Sequence, residues 1–116
     1  MSFERKHTTE RSSQITIHGD TVYLAGQVAR DAPGASVAEQ TADILERIDT
    51  YLAEAGTDKS RILTATVWMS DIERFGELNE VWNAWTVAGK SPCRACVEAR
   101  LANEKYAVEI MVVAAR

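Results

Sequence analysis

The sequence predicts an α+β fold, a single domain of order β-β-α-β-α-β-β with both helices on one face of the sheet. Three observations predict it. Two stretches carry apolar residues at helical spacing. The runs 62–69 and 106–115 are apolar and unbroken by Gly or Pro, so they read as strands buried on both faces. The chain has 116 residues, enough for one core, so the whole of 1–116 is expected to be one domain.

The elements follow in order. Residues 1–11 are charged and read as partly extended. Gln14 to His18 alternates, Gly19-Asp20 supplies a turn, and Thr21 to Ala25 follows, which is a hairpin signal. Gly26 closes the second strand, and Val28 to Gly34 reads as a loop broken by Pro33-Gly34. Ser36 caps a helix over about 37–55, with Glu39 at the capping-box position and Gly56 at the C-terminal stop. Val37, Thr41, Ile44, Leu45, Ile48 and Leu52 form its inner face. Residues 62–69 make the third strand. Phe75, Leu78, Val81, Trp82 and Trp85 recur at helical spacing and make a second helix that ends before Gly89. Two strands follow Pro92, at 93–101 and 106–115. Two helices cover only one face of such a sheet, so the other apolar face is expected to pack against another copy of the chain.

Composition narrows the function. Hydrophobic residues make up 46% and charged residues 26%, the balance of a globular chain. The net charge is −4 and no basic stripe is present, which argues against a nucleic-acid partner. No apolar run reaches the length of a membrane span, and the first residues lack the apolar core of a leader, so a cytoplasmic location with no membrane partner is expected. Cys93 and Cys96 form a C-x-x-C pattern, but in a strand-like segment their side chains point to opposite faces, which disfavours a redox pair. His7 and His18 have no metal-ligand spacing, so no metal is expected. Trp68, Trp82 and Trp85 read as packing residues rather than a base-stacking platform.

Glu109 carries the strongest chemical signal. It interrupts an apolar strand, where a carboxylate must be paired, hydrogen-bonded or protonated. Arg94 interrupts the apolar stretch before it. Two readings stand: a structural ion pair, or a site for a small organic anion.

The residues then carry a resemblance. Gly19 to Gln27 looks like the early strand, ending in Gly-Gln, of the Rid family, also called YjgF-like proteins. Phe75-Gly76-Glu77-Leu78-Asn79 looks like the start of that family's second helix. Pro92-Cys93-Arg94-Ala95-Cys96-Val97-Glu98 resembles its signature Pro-x-Arg-x-Cys-Val-Glu, and Val108-Glu109-Ile110 its last strand. The similarity covers nearly the whole chain, and the two-tryptophan helix most resembles the YoaB-like branch. The resemblance implies a chorismate-mutase-like homotrimer with clefts between subunits. It implies hydrolysis of reactive 2-imino and enamine acids, such as 2-aminoacrylate, to 2-keto acids and ammonia without a cofactor. Arg94 would hold the substrate carboxylate and Glu109 would position water; Gly26, Asn79 and Cys96 would line the pocket. Three departures bear on substrate preference. The family's Gly-Pro-Tyr is replaced by Arg11-Ser12-Ser13-Gln14, Ala25 stands where many members have Ser, and Leu101 to Lys105 replaces a Leu-Pro-Lys turn.

Chemistry suits those roles. A guanidinium fork binds a carboxylate bidentately. A protonated imine is already electrophilic, so one carboxylate that orients water and moves a proton suffices. Arg94 nearby favours ionised Glu109, and apolar burial opposes it. Cys96 reads as a ligand contact rather than a nucleophile, since no histidine neighbours it. If a four-residue turn, 102–105, joins the last two strands, Leu101 pairs with Tyr106 and Glu98 lies opposite Glu109. Arg94, Cys96 and Glu109 then share one face, but Arg94 faces Val113, ~13 Å along the strand from Glu109. That span predicts a composite site that takes Arg94 and Glu109 from different subunits. The rival reading is a non-catalytic binder or sensor of small carboxylates, for which Arg94 alone suffices.

Overall fold

A computed structural model of the chain describes residues 2–116; Met1, the first residue of the charged leading stretch, lies outside them. The sheet contains β1 (Phe3–Thr8), β2 (Ser13–His18), β3 (Thr21–Leu24), β4 (Gln27–Val28), β5 (Ile62–Met69), β6 (Cys93–Glu98) and β7 (Val108–Ala115). Two helices, α1 (Val37–Glu54) and α2 (Phe75–Trp85), cover one side of it. The thinnest extent of the molecule, 21 Å, is that of one sheet and one helix layer.

The strand order is β1-β2-β3-β7-β5-β6, with β4 continuing the β3 side of β7. Two strands add to the predicted order. β1 is almost entirely exposed and has no apolar alternation; its ladder with β2 forms it, from Phe3 opposite His18 to Thr8 opposite Ser13. β4 is a two-residue pairing inside the predicted loop.

The larger correction concerns the last two strands. They do not pair, because β5 lies between them: β6 runs parallel to β5, and β7 antiparallel to it. The unit β5–α2–β6 is thus a strand-helix-strand crossover, which parallel pairing requires. The chain after β6 then steps over the end of β5. Ala99 N–H donates to the Met69 carbonyl at 2.9 Å and Ser70 N–H to the Ala107 carbonyl at 3.0 Å. Leu101 and Tyr106 belong to this connection, not to strands. Gln40, 1% exposed on α1, anchors it: its Nε2 donates to the Lys105 carbonyl at 2.9 Å and its Oε1 accepts from Ala107 N–H at 2.8 Å.

The helices are set as the sequence predicts. Ser36 Oγ accepts from Glu39 N–H at 3.1 Å. Ile44, Leu45, Ile48 and Leu52 point into the core, and Gly56 at φ 81° ends the helix with Thr57 N–H on the Leu52 carbonyl. Against them lie Ile15, Ile17, Val22, Leu24, Val67, Ile110 and Val112 from the sheet. Among the described residues no helix covers the opposite face of the sheet. That face carries Tyr23, Trp68, Val97, Met111 and Val113, of which Tyr23, Val97 and Met111 are exposed.

One irregularity matters for the site. Tyr23 pairs with Val113 and Gln27 with Ile110, so four steps of chain (27 − 23) oppose three on β7 (113 − 110). This is a β-bulge over Leu24 to Gly26, opposite the strand that carries Glu109.

Candidate functional site

The register sorts the three candidate residues on β6 and β7 onto two faces. Arg94 pairs with Ala65 and Cys96 with Val67, both core residues, so Arg94 and Cys96 project toward the helix side. Glu109 pairs with Trp68, between the buried Val108 and Ile110, so it projects to the open side. The expected sharing of one face is therefore overturned, because it rested on a β6–β7 hairpin that does not form. Arg94 lies level with Ala65 and Val112 rather than beside Val113. Glu98 lies level with Met69 and Val108, away from Glu109, and its Oε1 instead accepts from Ile72 N–H at 3.2 Å.

The arginine half is built by β6 and α2. Phe75, Asn79 and Trp82 follow one another at four and three residues, which aligns them on one helix stripe facing the sheet edge. Arg94 Nη2 donates to Asn79 Oδ1 at 2.8 Å. The guanidinium carbon stands 5.1 Å from the centre of the Trp82 ring and 5.5 Å from that of Phe75. Both distances suit cation–π contact. Among the described residues Arg94 makes no ion pair. Its Nη1 is shut off from water and has no hydrogen-bond partner. Such a donor is costly to leave unmatched, by about 1–3 kcal/mol. The structural ion pair with Glu109 is thus absent, and the cation is held by neutral groups alone.

Cys96 lies next to this cation. Burial pushes its thiol above its usual value, and the Arg94 charge opposes that in part. The sulfur is therefore a neutral thiol at pH 7 and a poor nucleophile. Cys93 is exposed on the other face of β6, and both cysteines are free.

The glutamate half is built by β7 and the bulge. A Cβ added to Gly26 would overlap Glu109 Oε2, with Glu109 Cδ at 3.1 Å and Cγ at 3.3 Å. Glycine is needed here for close approach, since the carboxylate lies directly against the backbone. That backbone is braced. Ala25 N–H donates to the Gln14 carbonyl at 2.9 Å, and buried Gln27 donates from Nε2 to Gln14 Oε1 at 2.6 Å and to the Ala25 carbonyl at 3.0 Å. Sequence reasoning missed Phe75 and Trp82 as partners of Arg94; the signal was their spacing around Asn79. It also missed the Gln14–Gln27 brace, for which a polar pair in an apolar strand pattern was the only cue.

Arg94, Asn79 and Cys96 thus come together, as do Gly26 and Glu109, while the two groups stand on opposite sides of one sheet. Fold and site define a class: a two-layer α+β domain that presents an unmatched guanidinium on one face and a glycine-backed carboxylate on the other. The chain belongs to the YjgF/Rid family, whose family model, described as endoribonuclease L-PSP, matches residues 4–116. It is 42% identical to the RutC family protein YoaB of Escherichia coli over 115 residues, 99% of both chains. It is 30% identical over 108 residues to 2-iminobutanoate/2-iminopropanoate deaminase of Rattus norvegicus, covering 88% of this chain and 77% of that one. The crystal structure of a YjgF family member from Neisseria meningitidis superposes with a TM-score of 0.96 at 41% identity, over 100% of this chain and 96% of that one.

Proposed function

We propose that this protein hydrolyses 2-imino acids, and the enamines that tautomerise to them, to 2-keto acids and ammonia. The catalytic cleft would lie between copies in a homotrimer. One observation carries the reading: Arg94 is fixed by Asn79, Phe75 and Trp82 but has no counter-ion, and one of its nitrogens is unmatched. A substrate carboxylate supplies what it lacks. The rat relative named for imine deamination supports the choice of substrate.

The chemistry needs few groups. Arg94 holds the carboxylate, and with Asn79 and Cys96 it fixes the C=N carbon in place. Glu109 of the neighbouring copy, against Gly26, accepts a proton from water as the water oxygen bonds to that carbon and the C=N π pair moves onto the protonated imine nitrogen. The resulting carbinolamine receives the proton on nitrogen. The hydroxyl proton passes to Glu109 as the oxygen forms the C=O bond and the C–N bond breaks; ammonia leaves and takes that proton up as ammonium. No electrons are transferred and no cofactor is consumed.

The opposite-face placement of the two halves supports a composite site, since one chain alone does not bring them together. The uncovered apolar face supports assembly of copies. Unpaired thiols fit a reducing, cytoplasmic setting. Among the described residues no helix is long and apolar enough to cross a membrane. The net charge of −4 gives a polyphosphate little to bind.

The test couples an amino-acid oxidase, which generates imines in place, to ammonia release. Acceleration by the wild type and its loss in Arg94→Ala supports the reading; equal rates with and without the protein end it. Mixing Arg94→Ala with Glu109→Ala chains tests the composite site. Random assembly on a cyclic oligomer should restore about one quarter of wild-type activity, because each cleft needs one intact group from each neighbour. No recovery in any mixture counts against it. A second reading, a non-catalytic carboxylate sensor, is favoured by the fact that the arginine half is complete within one chain. Glu109→Ala separates the two, since a sensor keeps its function and an enzyme does not.

A further inference from the structure

Two aromatic rings touch the Arg94 guanidinium, and they differ in exposure. Trp82 is 5% exposed and belongs to the core, whereas Phe75 is 38% exposed. A ligand that arrives from solvent therefore meets Phe75, not Trp82. Three residues earlier, Ile72 is 37% exposed in the 3-10 turn Ile72–Arg74 that leads into α2. This apolar rim is held rigidly. Glu98, on the same strand as Arg94, accepts from Ile72 N–H at 3.2 Å, and Asp71 accepts from Glu73 N–H at 3.0 Å. Arg74, the one cation of the turn, is engaged by Glu77 at 2.8 Å and by Asp71 at 3.8 Å. The exposed ring of Phe75 thus stands beside the cation, and the charged residue of the turn is paired elsewhere.

From this we infer that Phe75, extended by the exposed Ile72 three residues before it, is the specificity wall of the site and selects substrates with bulky apolar side chains. The inference rests on the imine-hydrolysis reading and deepens it. In a guanidinium–carboxylate pair the two carbons lie about 4 Å apart, so the carbon bearing the side chain falls within reach of a ring centred 5.5 Å from the guanidinium carbon. A methyl group covers little of that ring. A branched or aromatic side chain reaches the part of the ring that the guanidinium leaves exposed, and each buried methylene strengthens binding by about fourfold. The preferred class is then the 2-imino acids derived from leucine- and phenylalanine-type amino acids, ahead of the three-carbon 2-iminopropanoate. No group in the wall reads polar side chains, so serine-derived imines gain nothing from it.

The test measures kcat/KM for imines generated by the oxidase from alanine, leucine and phenylalanine. The wild type should favour the leucine-derived imine over the alanine-derived one by at least tenfold, mainly through KM. Phe75→Ala should reduce that ratio severalfold, and Phe75→Leu, which keeps an apolar wall, should retain most of it. A flat series in the wild type, or a ratio that Phe75→Ala leaves intact, overturns the inference while imine hydrolysis stands. If no imine is accelerated, the hydrolase reading fails separately. The wall is then read from the Kd of the matching 2-keto acids: tighter binding of 4-methyl-2-oxopentanoate than of pyruvate, lost in Phe75→Ala, sustains it, and equal affinities overturn it.

Discussion

At Gly26 a stability effect and a functional effect come apart. A methyl group there would meet the far end of the Glu109 side chain, not backbone. The carboxylate can swing away at small cost, so Gly26→Ala should change unfolding free energy by no more than about 0.5 kcal/mol. Imine hydrolysis should nevertheless fall by about 10²-fold, because the displaced base no longer holds water in line. Chemical denaturation and the coupled assay on the same sample check both halves. Cys96 gives a pH-dependent prediction. Its raised thiol pKa means that alkylation is slow at neutral pH and rises only in alkaline solution, after exposed Cys93 has reacted. Burial raises that pKa and the Arg94 charge lowers it, so Arg94→Met, which keeps the bulk and removes the charge, should push it higher still and delay Cys96 alkylation further. Mass-spectrometric alkylation across a pH series reads the shift. Glu109 and Arg94 stood out in the sequence because each interrupts an apolar run. Their partners did not, since a phenylalanine or tryptophan at helical spacing looks the same whether it packs against leucine or against a cation.

At the scale of elements, the sequence marked nearly every helix and strand but not every neighbour. Capping and periodicity are local, so α1, α2, β5 and β7 were legible within a residue or two. Pairing is not local. A short polar stretch after Leu101 resembles a hairpin turn, yet the parallel β5–α2–β6 crossover puts a strand between β6 and β7. The cue was the strand-helix-strand order itself, which favours parallel neighbours. β1 was hidden because an exposed edge strand needs no apolar alternation. Gln40 holds the crossing connection in place and escaped notice as a polar residue on a helix face. Gln40→Leu should leave the Ala107 N–H without its partner and destabilise the fold by about 1–3 kcal/mol, as measured by urea unfolding. The surrounding loop, released, should also gain protease sensitivity.

At the scale of the whole molecule, the bare sheet face sets the terms. It was foreseen because strands apolar on both sides outnumber the faces two helices can cover. If copies meet there, a charge at its middle should prevent it. Met111→Glu, two residues from Glu109 on the same face, should convert the assembly to monomers in sedimentation while the helical signal persists. Activity should disappear with the assembly although Arg94 and Glu109 are both present.

The bulge over Leu24 to Gly26 has one last consequence. Exposed Tyr23 and buried Gln27 would share a side in a regular strand, and the extra residue turns them to opposite sides. That stretch works like a spare link: take it out and the ladder closes evenly, with everything downstream facing as before. Loop tips elsewhere tolerate insertions and losses. Here a lineage that drops a single amino acid would keep the Gln27 amide in the interior, opposite Ile110, but lose the flat platform beneath an acid, so length at this point is set by what the acid needs before any question of side-chain identity arises.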